Sequence, residues 1–154
     1  MNLLLDTNIL VDVLRKRDFD YEESRLLLAL GKLHEFELWI SPSQLSDLFY
    51  ILTSGGKRHL AKAVSAELSD LFSFVHVCAL GHDEANAALA CGFDDLEDAL
   101  VCQAARSVRA EAIITRNQKD FEASPIPARS SKEFFTWLAI EKGLNYAEVA
   151  LQAG

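Results

Sequence analysis

A parallel β-sheet covered by helices on both faces is the fold class this sequence predicts, on three observations. Strand-like and helix-like runs alternate from one end of the chain to the other, the pattern of stacked βαβ units. The 154 residues are half hydrophobic and a quarter charged, with only three Pro and seven Gly. That describes one ordinary globular domain with little room for a long linker. Finally, acidic residues fall just after strand-like runs, where parallel sheets bind ligands.

The elements read as follows. Residues 3–5 (LLL) form a short buried strand that runs into Asp6. Ile9, Leu10, Val13 and Leu14 share one helical face, and Arg15, Lys16 and Arg17 close that helix with favourable charge. Residues 21–33 make a second helix and residues 36–40 (FELWI) a second strand. Pro42 suits the first turn of a third helix carrying Leu45, Leu48, Phe49 and Leu52, which stops at Ser54, Gly55 and Gly56. Residues 60–73 are helical, and residues 74–78 (FVHVC) form a third strand. A short Ala-rich helix covers residues 83–91, and another covers residues 96–108. Residues 112–115 (AIIT) are a fourth strand and residues 126–129 a short fifth. SSKE at 130–133 is a capping box before the apolar FFTWLAI, and the tail after Gly143 adds one further turn.

Composition excludes several function classes. No apolar run reaches the roughly 18 residues that span a membrane, and no basic region precedes the apolar start, as a signal peptide would require. Cys78, Cys91 and Cys102 are odd in number and form no C-x-x-C pair, which reads as three buried thiols in a reducing cytosol. The net charge of −8 argues against simple electrostatic binding of nucleic acid. Acids gathered around metal ions reverse that argument locally, because the ions recruit phosphates.

The acids support that picture. Asp6 follows the first strand, Asp47 lies two turns into the helix after the second, and Asp120 follows the fourth. Asp94, Asp95 and Asp98, with Glu97 among them, open the helix before the fourth strand. Asp95 and Asp98 share a helix face, with Leu96, Ala99 and Leu100 turned to the core. Each acid also has an ordinary reading: Asp94 or Asp95 as a helix cap, Asp120 as a loop acid, Asp47 as a solvated helix acid. Asp12 and Asp70 are assigned to solvated faces. A carboxylate cluster suits hard cations, Mg2+ or Mn2+. His34, His59, His76 and His82 are scattered without zinc-ligand spacing. Hard cations can activate water and stabilise the leaving oxygen of a phosphodiester. The chain carries no G-x-x-x-x-G-K-[ST], G-x-G-x-x-G or G-x-S-x-G motif. A haloacid-dehalogenase phosphatase would need an aspartate where Asn8 stands, and a receiver domain a phosphoacceptor where Ala79, Leu80 and Gly81 stand.

LLLDTNIL, SPSQLSDLFYIL, FDDLEDALVCQAA and AIITRNQKDF resemble, in order, the four signature segments of PIN-domain ribonucleases, above all the VapC-type toxins. The resemblance implies a three-layer α/β/α sandwich with a mostly parallel sheet of four to five strands. It implies an Mg2+- or Mn2+-dependent endoribonuclease whose metal-binding acids are Asp6, Asp47, Asp98 and Asp120. Asn117 supports Asp120, Thr7 and Asn8 hold the first loop, and Asp95 is a rim acid or a helix cap. Arg116 is the candidate phosphate contact. Many relatives carry Glu at the place of Asp47, and the shorter side chain reaches a metal through water. The resemblance also implies a cytoplasmic homodimer held inactive by a small antitoxin, with RNA as substrate and no membrane. It covers residues 1–137 as the nuclease domain, leaving residues 138–154 as a C-terminal helical extension of it. Arg15, Lys16, Lys57 and Arg58 are available for target choice. A noncatalytic RNA- or protein-binding module on the same fold is the alternative.

Overall fold

The structure, a computed structural model, describes residues 1–17 and 19–146. Strands β1 (Asn2–Leu5), β2 (Glu37–Ile40), β3 (Val75–Val77), β4 (Ala112–Ile114) and β5 (Ala128–Arg129) form one sheet of order β3-β2-β1-β4-β5. Every pairing is parallel, and Leu4 stands opposite Trp39 on one side and Ile113 on the other. Leu3, Leu5, Ala112 and Ile114 face one apolar cluster, whereas Leu4 and Ile113 face a second. Burial on both sheet faces explains the unbroken apolar runs of β1 and β4.

The helices are α1 (Thr7–Arg15), α2 (Tyr21–Lys32), α3 (Pro42–Leu52), α4 (Ala61–Leu71), α5 (His82–Ala90), α6 (Leu96–Ser107) and α7 (Ser131–Glu141). Helices α1 to α4 and α7 supply the first cluster, around the fully buried Phe134. Helix α6 supplies the second through Val101, Ala104 and Ala105, and α5 packs on α6. The result is the three-layer α/β/α sandwich, with all five strands parallel.

Helix α7 begins at its capping box, Ser130 and Glu133. It runs through residue 137, and Leu138 is buried in the first cluster. Tyr146 packs on Phe36 and Phe135 and donates its hydroxyl to Glu35 Oε1 at 2.6 Å. Residues 143–146 form no helix. The remainder of the expected terminal turn, residues 147–154, lies outside the described residues.

Three expectations need correction. The fifth strand is only two residues long. Leu96 is 50% exposed rather than core-facing, because it occupies the first position of α6, before the helix reaches the sheet. Cys78 and Cys102 are buried but Cys91 is partly exposed, at the end of α5.

Candidate functional site

From β1 the chain moves outward to β2 and β3, then returns to β4 on the other side of β1. The connections that follow β1 and β4 therefore run to opposite sides, and a crevice opens beyond those strands' carboxyl ends. A cleft of about 470 Å³ lies there, lined by Asp6, Asp47, Glu97, Asp98 and Asp120. They are delivered by four separate segments: the end of β1, α3, the first turn of α6, and a 3-10 turn at Gln118–Phe121.

Asp6 is held by the sheet. Its N–H donates to the Ile114 carbonyl at 2.9 Å, extending the β1–β4 ladder by one step. It occupies the N-cap position of α1, yet its side chain makes no capping bond. The Thr115 hydroxyl donates to Oδ2 at 2.7 Å and the Asn8 amide at 2.9 Å. At 8% exposure, burial drives its pKa above the ordinary aspartate value despite the Thr115 hydrogen bond, and Asp120 pushes the same way.

Asp95 opens α6. Its carboxylate accepts the Glu97 N–H at 2.7 Å and the Asp98 N–H at 3.4 Å. Of the two readings given to Asp95, the helix cap is the one its hydrogen bonds satisfy. That cap sets Glu97 and Asp98 on the cleft wall. Burial first, then the charges of Asp6, Asp95 and Asp120, pushes the Asp98 pKa up to about 6. Burial first, then Asp47, Asp6, Asp95 and Asp98, pushes Glu97 up to about 7. Among the described residues, none of the five cleft acids makes an ion pair with Lys, Arg or His. Nor do any three Asp, Glu, His or Cys side chains close into a ready-made metal cage.

The remaining expected residues surround these acids. The Thr7 hydroxyl donates to Glu97 Oε1 at 3.4 Å and accepts from Gln44 Nε2 at 3.3 Å. Asn8 accepts the Arg116 N–H at 3.2 Å. Asn117 lines the cleft and donates its N–H to Thr115 Oγ1 at 3.0 Å. Arg116 lines the cleft too, but its guanidinium lies 3.1 and 3.0 Å from the two carboxylate oxygens of Asp12. Asp12 is thus not on a solvated face: it is 2% exposed, and a cation drawn from a distant loop makes that burial tolerable.

Sequence reasoning passed over three contributors. Glu97 was seen only as a neighbour of Asp98, although both lie in one helical turn. Gln44, fully buried, donates to the Leu5 carbonyl at 2.7 Å and accepts the Ser41 N–H at 2.7 Å. The S-x-x-Q capping pattern of SPSQ was its signal. Thr115 bonds Asp6, and nothing but its place at a strand end marked it.

A parallel α/β/α sandwich with an acid-lined cleft at its switch point belongs to the class of sheet proteins that bind ligands beyond the strands' carboxyl ends. The family model for the PIN domain matches residues 2–119, so the chain belongs to that family. The matched span contains Asp6, Asp47 and Asp98 and ends one residue before Asp120. Solved structures with the same fold include VapBC2 from Rickettsia felis bound to a DNA fragment from their promoter, at 20% identity and a TM-score of 0.64, covering 84% of this chain and 98% of that one. A toxin–antitoxin complex from Klebsiella pneumoniae is 25% identical with a TM-score of 0.58, covering 84% and 97%. FitAcB from Neisseria gonorrhoeae is 15% identical with a TM-score of 0.60, covering 84% and 98%. No curated protein matches the sequence. No helix among the described residues is long and apolar enough to cross a membrane.

Proposed function

We propose that this chain is a metal-dependent endoribonuclease that hydrolyses RNA phosphodiester bonds, and that it is the toxin of a type II toxin–antitoxin pair acting in the cytoplasm. The observation that carries the reading is the cleft itself. Asp6, Asp47, Glu97, Asp98 and Asp120, from four segments, line one crevice, and burial first, then the neighbouring acids, raises the pKa values of Asp6, Glu97 and Asp98. These five acids have no paired cation among the described residues. An all-oxygen donor set fits Mg2+ or Mn2+, which tolerate water in place of missing ligands, and so does not need a closed cage.

Asp6, Asp98 and Asp120 would hold the cation, with Asp47 through water and Glu97 as a further acid at the rim. Bound there, a hard cation supplies charge neutralisation for the phosphodiester and a source of activated water. Thr115 and Asn8 fix the direction of the Asp6 carboxylate, and Gln44 and Thr7 hold the loop beneath it. Asp95 positions Asp98 through the helix start. Arg116 meets a substrate phosphate only by sharing its guanidinium with Asp12. The toxin–antitoxin composition of the structural neighbours supports a small antitoxin as partner; the assembled form proposed is a homodimer. Residues 1–137 act as the nuclease domain, and Leu138 of α7 packs on its core.

The test is RNA cleavage with Mg2+ or Mn2+ by wild type, Asp6→Asn and Asp98→Asn. Cleavage by wild type and a loss of about 100-fold or more in both variants, the scale of losing an electrostatic stabiliser, is the expected result. No cleavage by wild type with either metal, or undiminished cleavage by both variants, overturns the reading.

A further inference from the structure

The cleft has a second half that metal binding does not use. Asp47, Tyr50 and Ile51 lie at i, i+3 and i+4 on α3, and all three line the cleft. Tyr50 therefore stands one helical turn, about 5 Å, beyond the acids. It is 61% exposed, although large aromatic side chains are usually mostly covered. The turn that follows α3 backs its ring. A Cβ on Gly55 would sit 3.6 Å from the Tyr50 hydroxyl oxygen, and one on Gly56 3.7 Å from Cδ2 and Cε2. Both glycines have φ near +85° (+85° and +83°), which only glycine adopts readily. The buried Thr53 pins this turn, donating to the Phe49 carbonyl at 2.7 Å and accepting the Gly56 N–H at 3.1 Å. A rigid turn thus supports one side of the ring, and the cleft side is open. Arg17 and Arg116 line the same cleft, and Lys57 and Arg58 come directly after the glycines.

We propose that Tyr50 is a stacking platform for a base of single-stranded RNA next to the scissile phosphate, with Arg17 of the same cleft available for the backbone. The inference rests on the nuclease reading and adds a positioning residue to it: a ring onto which the base beside the scissile phosphate swings. Aromatic platforms beside basic side chains bind single strands in this way because every base offers a π-face. A base inside a duplex is already stacked on both sides and leaves nothing for the ring to take. Tyr50 is a positioning residue, since it acts by fixing the strand and not on the reacting atoms.

The experiment uses the full chain with Mn2+. Total bacterial RNA locates a cut site, and a short single-stranded oligonucleotide spanning that site then serves as the probe. It is compared with versions in which each flanking nucleotide is abasic and with a fully paired version. Tyr50→Ala is expected to raise KM about 10- to 100-fold, the loss of one base–aromatic stack. Its kcat stays within a few-fold of wild type and its melting temperature is unchanged. Tyr50→Phe and Tyr50→Trp restore KM. One abasic position weakens wild type by the same factor and weakens Tyr50→Ala no further, and the paired probe is cut slowly by all.

Wild-type KM in Tyr50→Ala overturns the inference, as does a Tyr50→Phe as poor as Tyr50→Ala. So does a Tyr50→Ala that cuts normally but no longer retains a copurifying protein, which assigns the ring to a protein interface. If wild type cuts no RNA, the nuclease reading falls and takes this inference with it; normal cutting by Tyr50→Ala removes the inference alone.

Discussion

Burial disfavours the charge of Asp6. The residue is 8% exposed, and its carboxylate accepts hydrogen bonds from Thr115 and Asn8 yet has a raised pKa because burial and Asp120 outweigh those bonds. An asparagine there keeps an oxygen for the Thr115 hydroxyl and carries no charge to desolvate. Asp6→Asn is thus expected to melt at or above the wild-type temperature in chelator, while losing most of the stabilisation that millimolar Mn2+ gives wild type. Calorimetry with and without metal reads both effects. A variant that melts well below wild type without metal would mean that the charge of Asp6 supports the fold directly. Asp95 is separable in the same way. Asn caps a helix about as well as Asp, so Asp95→Asn keeps the α6 start while removing one charge that raises Asp98 and Glu97. Its melting temperature should match or slightly exceed wild type, and a fall by several degrees would assign Asp95 a further structural role.

The first turn of α3 ties the site to the sheet. Gln44 closes a capping box with Ser41 and spans to β1, where its amide meets the Leu5 carbonyl and Thr7. Removing the side chain strands a buried carbonyl and a buried backbone N–H, so Gln44→Ala should lose about 1–3 kcal/mol of stability. Chemical denaturation measures it, and a loss below about 0.5 kcal/mol would indicate that water replaces the amide. This contact also marks the limit of what the sequence conveyed. The strands β1 and β4 were legible because burial on both faces leaves only apolar residues. The helices were legible from their periodicity, their caps and the Ser54-Gly55-Gly56 stop. The positions of Asp6, Asp98 and Asp120 after strands or at a helix start marked them as candidates. Their meeting depends on strand order, which no local pattern encodes. Asp12 was misread for the same reason: its partner Arg116 is 104 residues away, and nothing around Asp12 announces it. Cleft lining by Tyr50 depends likewise on how α3 lies against the crevice.

At the scale of the whole molecule, part of the acidic excess behind the −8 charge sits in the cleft, where burial tolerates it least. Asp98 and Glu97 have folded-state pKa values of about 6 and about 7, raised from 3.8 and 4.5 by burial first and by neighbouring acids second. Between the unfolded and folded values, the folded chain binds protons that the unfolded chain has released, so stability falls as pH rises through that window. The metal-free protein is therefore expected to melt higher at about pH 5 than at about pH 8, the reverse of a protein whose acids are salt-bridged. A divalent cation competes with those protons for the same oxygens and binds the folded state alone. Its stabilising effect should be small at about pH 5 and grow toward about pH 8, where the acids are ionised. A thermal-shift series across pH, with chelator and with millimolar Mn2+, thus yields two lines that lie close together at low pH and diverge as pH rises. Parallel lines, or a metal-free melting temperature that rises with pH, would show that the cleft carboxylates neither repel one another nor gather a cation.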